Sequence, residues 1–498
     1  MNEFLKVLCL LLLLLNGCGS DSNLSKTLKI SFSTHPHTMD PRKAGDFISS
    51  TLICLIYEGL TRCLPGGSVE PALAKQTEIS SDQKVYTFHL RKASWSDGKP
   101  ITAYDFEKSW KNQLSPPSVC AYLLYSIKNA EKCAKGEADL DQVGITALDE
   151  RTLRVELERP TPYFYSLTAF PSLLPVPSHI QTFDNGLIHS GPFSIERNIH
   201  NFEISLVKNP HYWNRREVHL DGIHISIVPD EMTALQMFEQ GELDWLGGPL
   251  SPLPPDAYEK IKNQVLFIPT AASTLCTFNT ETFPFHNRNL RKAFSYAIDR
   301  DEIVDKMVHS KNHTSSFLPP SLMNHPFSLS NIELAKSHFK KALEELNIEP
   351  AALETLTLYY KTSQVEKRLA QTLQRQWKET LGITIELVQL DFKSHASKLQ
   401  QRDYEISLAT WIAQFDDPLS ILERFKDKAN LKNYPGWENE KYESFLENGK
   451  LQEALTLFVE ELPLTPIYHW SSPVIASSRV QATATTPCGG ILFERFRL

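Results

Sequence analysis

Apolar and polar residues alternate at Leu28-Lys29-Ile30-Ser31-Phe32, Tyr86-Thr87-Phe88-His89-Leu90, Leu153-Arg154-Val155-Glu156-Leu157 and Ile223-His224-Ile225-Ser226-Ile227. A period of two puts one set of side chains on a buried face and the other in water, so each run predicts a strand. Elsewhere the period lengthens. Leu290, Ala293, Phe294, Ala297 and Ile298 follow a helical stripe, and Val365, Leu369, Leu373, Trp377 and Leu381 step by four residues. Gly382 suits the left-handed position closing the second helix, and the alternating Ile383-Thr384-Ile385-Glu386-Leu387 follows it directly. Asp97-Gly98 is a turn dipeptide, and Thr102 with Asp105 reads as a capping box on a helix carrying Phe106 and Trp110. Asp417 before Pro418 is likewise a helix start, with the carboxylate as cap. Helices that run straight into strands belong to mixed sheets, so an α/β or α+β architecture in more than one lobe is expected. Proline clusters mark the connections, with Pro249 to Pro255 the best candidate for an irregular crossing.

The N-terminus breaks these patterns. Lys6 precedes an unbroken apolar run from Val7 to Leu15, then Asn16-Gly17-Cys18 and the polar Gly19-Ser20-Asp21-Ser22-Asn23. A helix over that run is only about 14 Å long, against roughly 30 Å of bilayer hydrocarbon. It reads as an export signal and not a spanning anchor. Leu15-Asn16-Gly17-Cys18 resembles the bacterial lipobox, which implies cleavage before Cys18, its lipidation, and a flexible tether behind it. A plain secretory signal with an incidental cysteine is the alternative. Eight cysteines occur, and removing Cys9 with the signal and Cys18 to lipid leaves six. In an oxidising compartment these could form one or two disulfides at most, the others being small buried apolar residues.

The length of 498 residues suggests two or three domains. A formal charge of −8 lacks the basic footprint of phosphate-backbone binding, so no nucleic-acid partner is expected. The chain carries no phosphate-cradling glycine loop, no zinc-binding His-Glu-x-x-His helix, no nucleophile elbow and no Cys-x-x-Cys pair. His35-Pro36-His37 and His309 to His313 have no carboxylate or cysteine at ligand spacing and are expected to be surface groups, with no metal or cofactor. A serine-histidine-aspartate triad built from distant positions stays open, because triads are defined by geometry and not by order.

Longer motifs then become recognisable. Tyr57-Glu-Gly-Leu, Trp95-Ser-Asp-Gly-Lys-Pro-Ile-Thr-Ala-Tyr-Asp-Phe, Thr161-Pro-Tyr-Phe-Tyr, Ser190-Gly-Pro-Phe, Lys208-Asn-Pro-His-Tyr-Trp-Asn, Gly241-Glu-Leu-Asp, Phe278-Asn-Thr, Leu290-Arg-Lys-Ala-Phe, Trp411-Ile-Ala-Gln-Phe-Asp-Asp-Pro and Pro463-Leu-Thr-Pro-Ile-Tyr occur in order along the mature chain. Together they resemble the extracellular solute-binding proteins of oligopeptide and dipeptide ABC importers. The resemblance implies a non-enzymatic two-lobed clamp of the periplasmic-binding-protein type (type II-like) with an additional inserted domain. Expected boundaries are a signal at 1–17, a tether at 18–26, lobe I from 27–60, 190–275 and 468–498, the insertion at 61–189, and lobe II at 276–467. It implies a peptide held as an added strand with its side chains in roomy, wet pockets, and delivery to a permease with separate ATPase subunits by a monomer tethered to the membrane.

Family contact positions fall on Phe47, Phe392, Thr410, Trp411 and Ile412. The carboxylate that grips a peptide ammonium in the family falls on Gln414, and a nearby arginine falls on Leu408. A neutral hydrogen bond contributes about 0.5–1.5 kcal/mol where a charged one contributes about 1.5–3 kcal/mol, so Gln414 implies a weaker grip on a free amine. Either Asp416 or Asp417 supplies the charge, or the ligand differs: a blocked or cell-wall-derived peptide, a nickel chelate, haem, an opine, a sugar or an antimicrobial peptide. The resemblance places one cysteine of a family disulfide at Cys276 and its partner at Ile412, so that bridge is not expected. Loss of transport in favour of signalling or adhesion and an exported hydrolase are the remaining readings.

Overall fold

The computed structural model describes residues 26–115, 120–180, 188–304, 316–323, 325, 330–413, 415–428, 430–486 and 489–498. The signal region, Cys18, His309 to His313, Gln414 and Cys488 lie outside them. In chain order the strands are β1 (Thr27–Phe32), β2 (Thr61–Cys63), β3 (Val69–Pro71), β4 (Ala74–Ile79), β5 (Val85–Leu90), β6 (Ile145–Asp149), β7 (Thr152–Glu156), β8 (Phe193–Ile199), β9 (Glu203–Lys208), β10 (Gly222–Ile227), β11 (Trp245–Gly247), β12 (Leu266–Phe278), β13 (Thr357–Lys361), β14 (Glu386–Leu390), β15 (Ile406–Ile412) and β16 (Leu464–Ala476). Ten of them form one sheet in the order β14-β13-β15-β12-β16-β11-β1-β10-β9-β8, while β4-β5-β7-β6 and β2-β3 form two smaller sheets. The four alternating runs of the sequence are β1, β5, β7 and β10; β5, β7 and β10 show the buried and more open faces their period predicts, while in β1 Ser31 on the polar face is buried against Ser251.

The helical stripes also form where the spacing requires. Arg288–Tyr296 buries Leu290, Ala293 and Phe294, and Gln364–Leu381 buries Leu369, Leu373, Trp377 and Leu381 before Gly382 turns left-handed at φ 75°. The strand after Gly382 starts later than its alternation suggests, at Glu386, because Ile383 and Ile385 are first spent in the core around Trp377. Thr102 and Asp105 form the capping box of Ala103–Gln113.

The ten-stranded sheet runs through two separate cores. Around β1, β10 and β11 the buried set includes Leu28, Ile30, Phe32, Ile225 and Trp245, and it continues without a break into Phe88, Phe106, Trp110 and Val155 of the 61–189 segment. Around β13, β15 and the helix Gln364–Leu381 it is Leu358, Ile406, Leu408, Trp377 and Cys276. The chain passes between these halves on two 13-residue strands, β12 and β16, whose pairing shifts register between Pro269 and Ser273 and again between Thr274 and Leu275. The crossing is therefore made by strands and not by the proline-rich stretch. Pro249 to Pro255 instead forms a local loop with a single bridge between Gly247 and Ser251.

Several recognised motifs turn out to hold the architecture. Glu58 is buried and accepts from Tyr212 Oη at 2.5 Å and Trp213 Nε1 at 3.3 Å, which ties the Tyr57-Glu-Gly-Leu segment to Lys208-Asn-Pro-His-Tyr-Trp-Asn. Asp244 accepts from Lys29 N, Ser477 Oγ and Arg479, pinning the C-terminal tail to β1. At Gly191 a Cβ would come within 2.6 Å of the Ile56 and Tyr57 backbone, so only glycine lets the chain return so close to the helix Phe47–Ile56. His35 is not the surface group its polar neighbours suggest: it is buried and bonds Asn198 at 2.9 Å. Cys54, Cys63, Cys120, Cys133 and Cys276 are all free thiols, so no disulfide forms among the described residues.

Candidate functional site

Topology locates the cleft. β1 pairs in parallel with β11, which runs antiparallel to β16 from Trp245 opposite Ala476 to Gly247 opposite Val474. Moving along β1 therefore leads toward the strand crossing. β15 approaches the same crossing from the other half, since Ile406 lies opposite Phe278 and Ile412 opposite Ala272. The carboxyl ends of β1 and β15 thus converge from opposite sides on the register shift at Pro269 to Ser273. Open α/β sheets bind ligands beyond the carboxyl ends of their strands, and here two such ends face one another.

The sequence-derived site residues sit at these ends. Phe47 is the first residue of the helix Phe47–Ile56, in the segment that leaves β1, and is half-buried behind its cap Asp46. Phe392 opens the helix Phe392–Gln401 just past the carboxyl end of β14, which runs parallel to β13 and through it to β15, and is 77% exposed. Thr410 and Ile412 share one face of β15, where Thr410 lies opposite Thr274 and Ile412 is 37% exposed. Trp411 points to the other face. It is 1% exposed, and its ring packs 5.2 Å from that of Phe425, so in this arrangement it braces the end of the strand from inside the core.

Beyond β15 the chain makes a last ladder bond, Ala413 N to Ala271 O at 2.8 Å. Phe415 stacks on Tyr163 of the 61–189 segment, with centroids 4.4 Å apart and planes at 14°. Tyr163 also donates to Glu423 Oε2 at 2.7 Å, and Arg159 lies 3.8 Å from Glu423 Oε1. These contacts clasp the Phe415 loop against the facing half.

The two aspartates are not equivalent. Asp417 accepts from Leu419 N at 2.8 Å just ahead of the short helix Leu419–Leu422, which starts one residue later than the Asp-Pro pattern implied because Pro418, and not Asp417, is the cap residue. Burial raises its pKa against that backbone bond, with Glu423 adding to the rise. Asp416 faces Cys63 at the end of β2, whose thiol is pushed up to about 12 by burial and then by Asp416 and Glu494. Glu494 is itself pushed up to about 7 by burial. Opposite Cys276 on β15 stands Leu408 and not Ile412, which lies four residues nearer the crossing.

The structure thus gathers Thr410, Ile412, Asp416 and Asp417 at one edge of the cleft, brings Phe47 to the opposite edge, and sets Phe392 two strands away. The contacts of Tyr163 and Glu423 with the Phe415 loop were not foreseen from the sequence. Thr161-Pro-Tyr was visible only as a motif, and nothing in the spacing links it to residues more than 250 positions away.

A two-lobed clamp crossed by two strands, with a cleft at facing strand ends, is the architecture of a solute-binding protein. The chain belongs to the bacterial extracellular solute-binding proteins, family 5, whose middle region it matches over residues 68–433. It is 33% identical over 512 residues to the oligopeptide-binding protein OppA of Bacillus subtilis (strain 168), with 96% of this chain and 94% of that protein covered. It is 30% identical over 502 residues to the dipeptide-binding protein DppE of the same organism, covering 94% and 91%. Among solved structures it superposes on the unliganded open form of the murein tripeptide-binding protein MppA with a TM-score of 0.82, at 24% identity and covering 95% and 98% of the two chains. The TM-score is 0.75 against Haemophilus influenzae OppA in complex with the peptide RPPGFSPFR, at 23% identity and covering 96% and 99%.

Proposed function

We propose that this protein is the peptide-capturing subunit of an ABC importer: lipid-anchored through Cys18, it closes on a peptide between its lobes and delivers it to a membrane permease driven by separate ATPase subunits. The observation that carries the reading is the convergence of the β1 and β15 carboxyl ends on the crossing of β12 and β16, which makes an interlobe cleft with a natural hinge. The oligopeptide- and dipeptide-binding relatives support peptide as the cargo. The hinge separates lobe I (27–60, 190–275 and 468–498, carrying the insertion 61–189) from lobe II (276–467). Phe47 lines the first lobe's edge of the cleft, while Thr410, Ile412 and Asp416 line the second's, and Gln414 holds the sequence position of the family's ammonium-gripping carboxylate. Phe392 and Trp411 flank it, and Asp417 shapes the loop. The mature protein acts outside the cytoplasm as a monomer. Among the described residues no helix is long and apolar enough to cross a membrane.

A hydrolytic reading has less support. Ser273 Oγ lies 2.7 Å from His469 Nδ1, and Ser407 Oγ lies 3.0 Å from His395 Nε2, but all four side chains are sealed in the core, where no scissile bond could reach them.

The test is mass spectrometry of ligands released by partial unfolding from protein purified out of an exporting host. Peptides are expected. A single non-peptide species, such as a metal chelate, haem or sugar, would replace peptide as the cargo while leaving the clamp reading intact.

A further inference from the structure

The two sides of the cleft exchange one aromatic side chain each. Tyr163 of the insertion packs against the lobe II core that contains Trp411 and Phe425, and Phe415 of lobe II packs against the core that the insertion shares with lobe I. The two rings stack 4.4 Å apart, and the Tyr163 hydroxyl reaches on to Glu423 Oε2 at 2.7 Å. One side chain of the insertion thus grips lobe II at both ends of residues 415–423, the stretch that carries Asp416 and Asp417. Burial and then Glu423 raise the pKa of Tyr163, so its hydroxyl keeps its proton and stays a donor.

The gripping side is the firmer one. Pro160 and Pro162 flank Thr161, which is buried, donates from Oγ1 to Arg159 O at 3.1 Å and accepts at its carbonyl from Phe164 N at 2.9 Å. Phe164 is sealed in the insertion, its ring centroid 5.0 Å from that of Tyr86. Prolines fix φ and leave such a turn few alternatives, so Tyr163 leaves a rigid base. The gripped side is looser. Residues 419–422 are buried in lobe II, whereas 415–418 are only half-buried, with a bond from Asp417 N to Phe415 O at 2.8 Å inside the loop. The helices that follow, Leu419–Leu422 and Glu423–Phe425, are single turns, whose own hydrogen bonds stabilise them little and whose position depends on packing. A loop ordered before the ligand arrives spares the binding event the entropy of ordering it. The ring stack and the phenol-to-carboxylate bond supply that order from across the gap.

We propose that Tyr163 is a positioning residue for ligand capture, through which the insertion presets the Asp416 loop of lobe II at the edge of the cleft. The inference rests on the peptide-binding reading above. It gives the insertion a part in binding without requiring it to touch the ligand.

Hydrogen exchange read by mass spectrometry, together with calorimetry, tests it on ligand-stripped full-length protein with tri-, tetra- and penta-alanine as probes. Tyr163→Phe keeps the ring and removes only the hydroxyl, and Glu423→Ala removes its acceptor. Each should speed exchange of the 415–423 amides several-fold in the free protein, and saturating peptide should shrink that difference. Each should weaken the tightest of the three probes about three- to tenfold. The double variant should bind no more weakly than Glu423→Ala alone, because both changes remove the same bond. Phe415→Ala should lose affinity as well, and Phe415→Tyr, which keeps the stack, should bind as the parent does. A fall in Tm with Kd and free-state exchange unchanged, additive losses of affinity in the double variant, or tighter binding by Tyr163→Phe overturns the positioning role and leaves the peptide cleft standing. Failure of the parent to bind any of the three probes overturns both.

Discussion

Two largely enclosed groups, His469 at the strand crossing and Glu494 in the C-terminal tail, make opposing pH-dependent contributions to the stability of this protein. His469 on β16 is 2% exposed, accepts or shares a proton with Ser273 Oγ at 2.7 Å and meets Ser316 O at 3.0 Å; burial lowers its pKa from 6.5 to about 4. Glu494, in the C-terminal tail beside Cys63 and Glu58, is raised by burial from 4.5 to about 7. The signs are opposite. The contribution of a depressed histidine is complete above 6.5 and is lost as pH falls toward 4, whereas that of a raised carboxyl is complete below 4.5 and is lost as pH rises through 7. Between pH 7.5 and 4.5, His469 alone should therefore remove about 2.5 kcal/mol and Glu494 alone should add about 3 kcal/mol. In the parent the two nearly cancel, so single variants are needed to expose them. Urea unfolding of Glu494→Gln should show stability falling by about 2.5 kcal/mol on acidification relative to the Glu494→Gln, His469→Gln double variant, and His469→Gln should gain about 3 kcal/mol relative to that same double variant. If both single variants and the double variant follow one pH profile, neither group is held as described and the packing at the hinge is wrong.

Trp411→Ala should cost about 3–5 kcal/mol and lower Tm sharply, because the ring is core, whereas the exposed Phe392→Ala should stay within about 0.5 kcal/mol; equal Tm values would place Trp411 in solvent. Gln414→Asp should tighten free-amine peptides by about five- to tenfold in calorimetry by converting a neutral hydrogen bond into a charged one. An unchanged Kd, with the parent already binding strongly, would mean that another group grips the amine. Cys18→Ser should release the protein from the membrane fraction and abolish incorporation of labelled fatty acid, and retention on the membrane would refute anchoring there.

Much of this could be read from the chain because local periodicity carries it. β1, β5, β7, β10 and the helices at Arg288 and Gln364 declare themselves through side chains that follow one another in sequence. The strand after Gly382 was offset because burial of Ile383 and Ile385 in the Trp377 core outweighed alternation. The Phe415 loop was marked out by motif order, but its neighbours were not. Tyr163 and Glu423 are 260 residues apart, and Tyr122 and Lys432 meet only because the sheet crosses twice. The same blindness applied to His35, whose polar neighbours in sequence suggested water while Asn198 and the β8–β9 hairpin buried it.

The central claim is that the facing ends of β1 and β15 close on a peptide about the β12–β16 crossing. Small-angle scattering of ligand-stripped protein, recorded while short peptides are titrated in and binding is followed in parallel by calorimetry, tests it most directly. The account predicts saturable binding of one peptide per chain, with the radius of gyration falling in step with occupancy. Saturable binding at constant radius, or no binding by any peptide of two to nine residues, would contradict it.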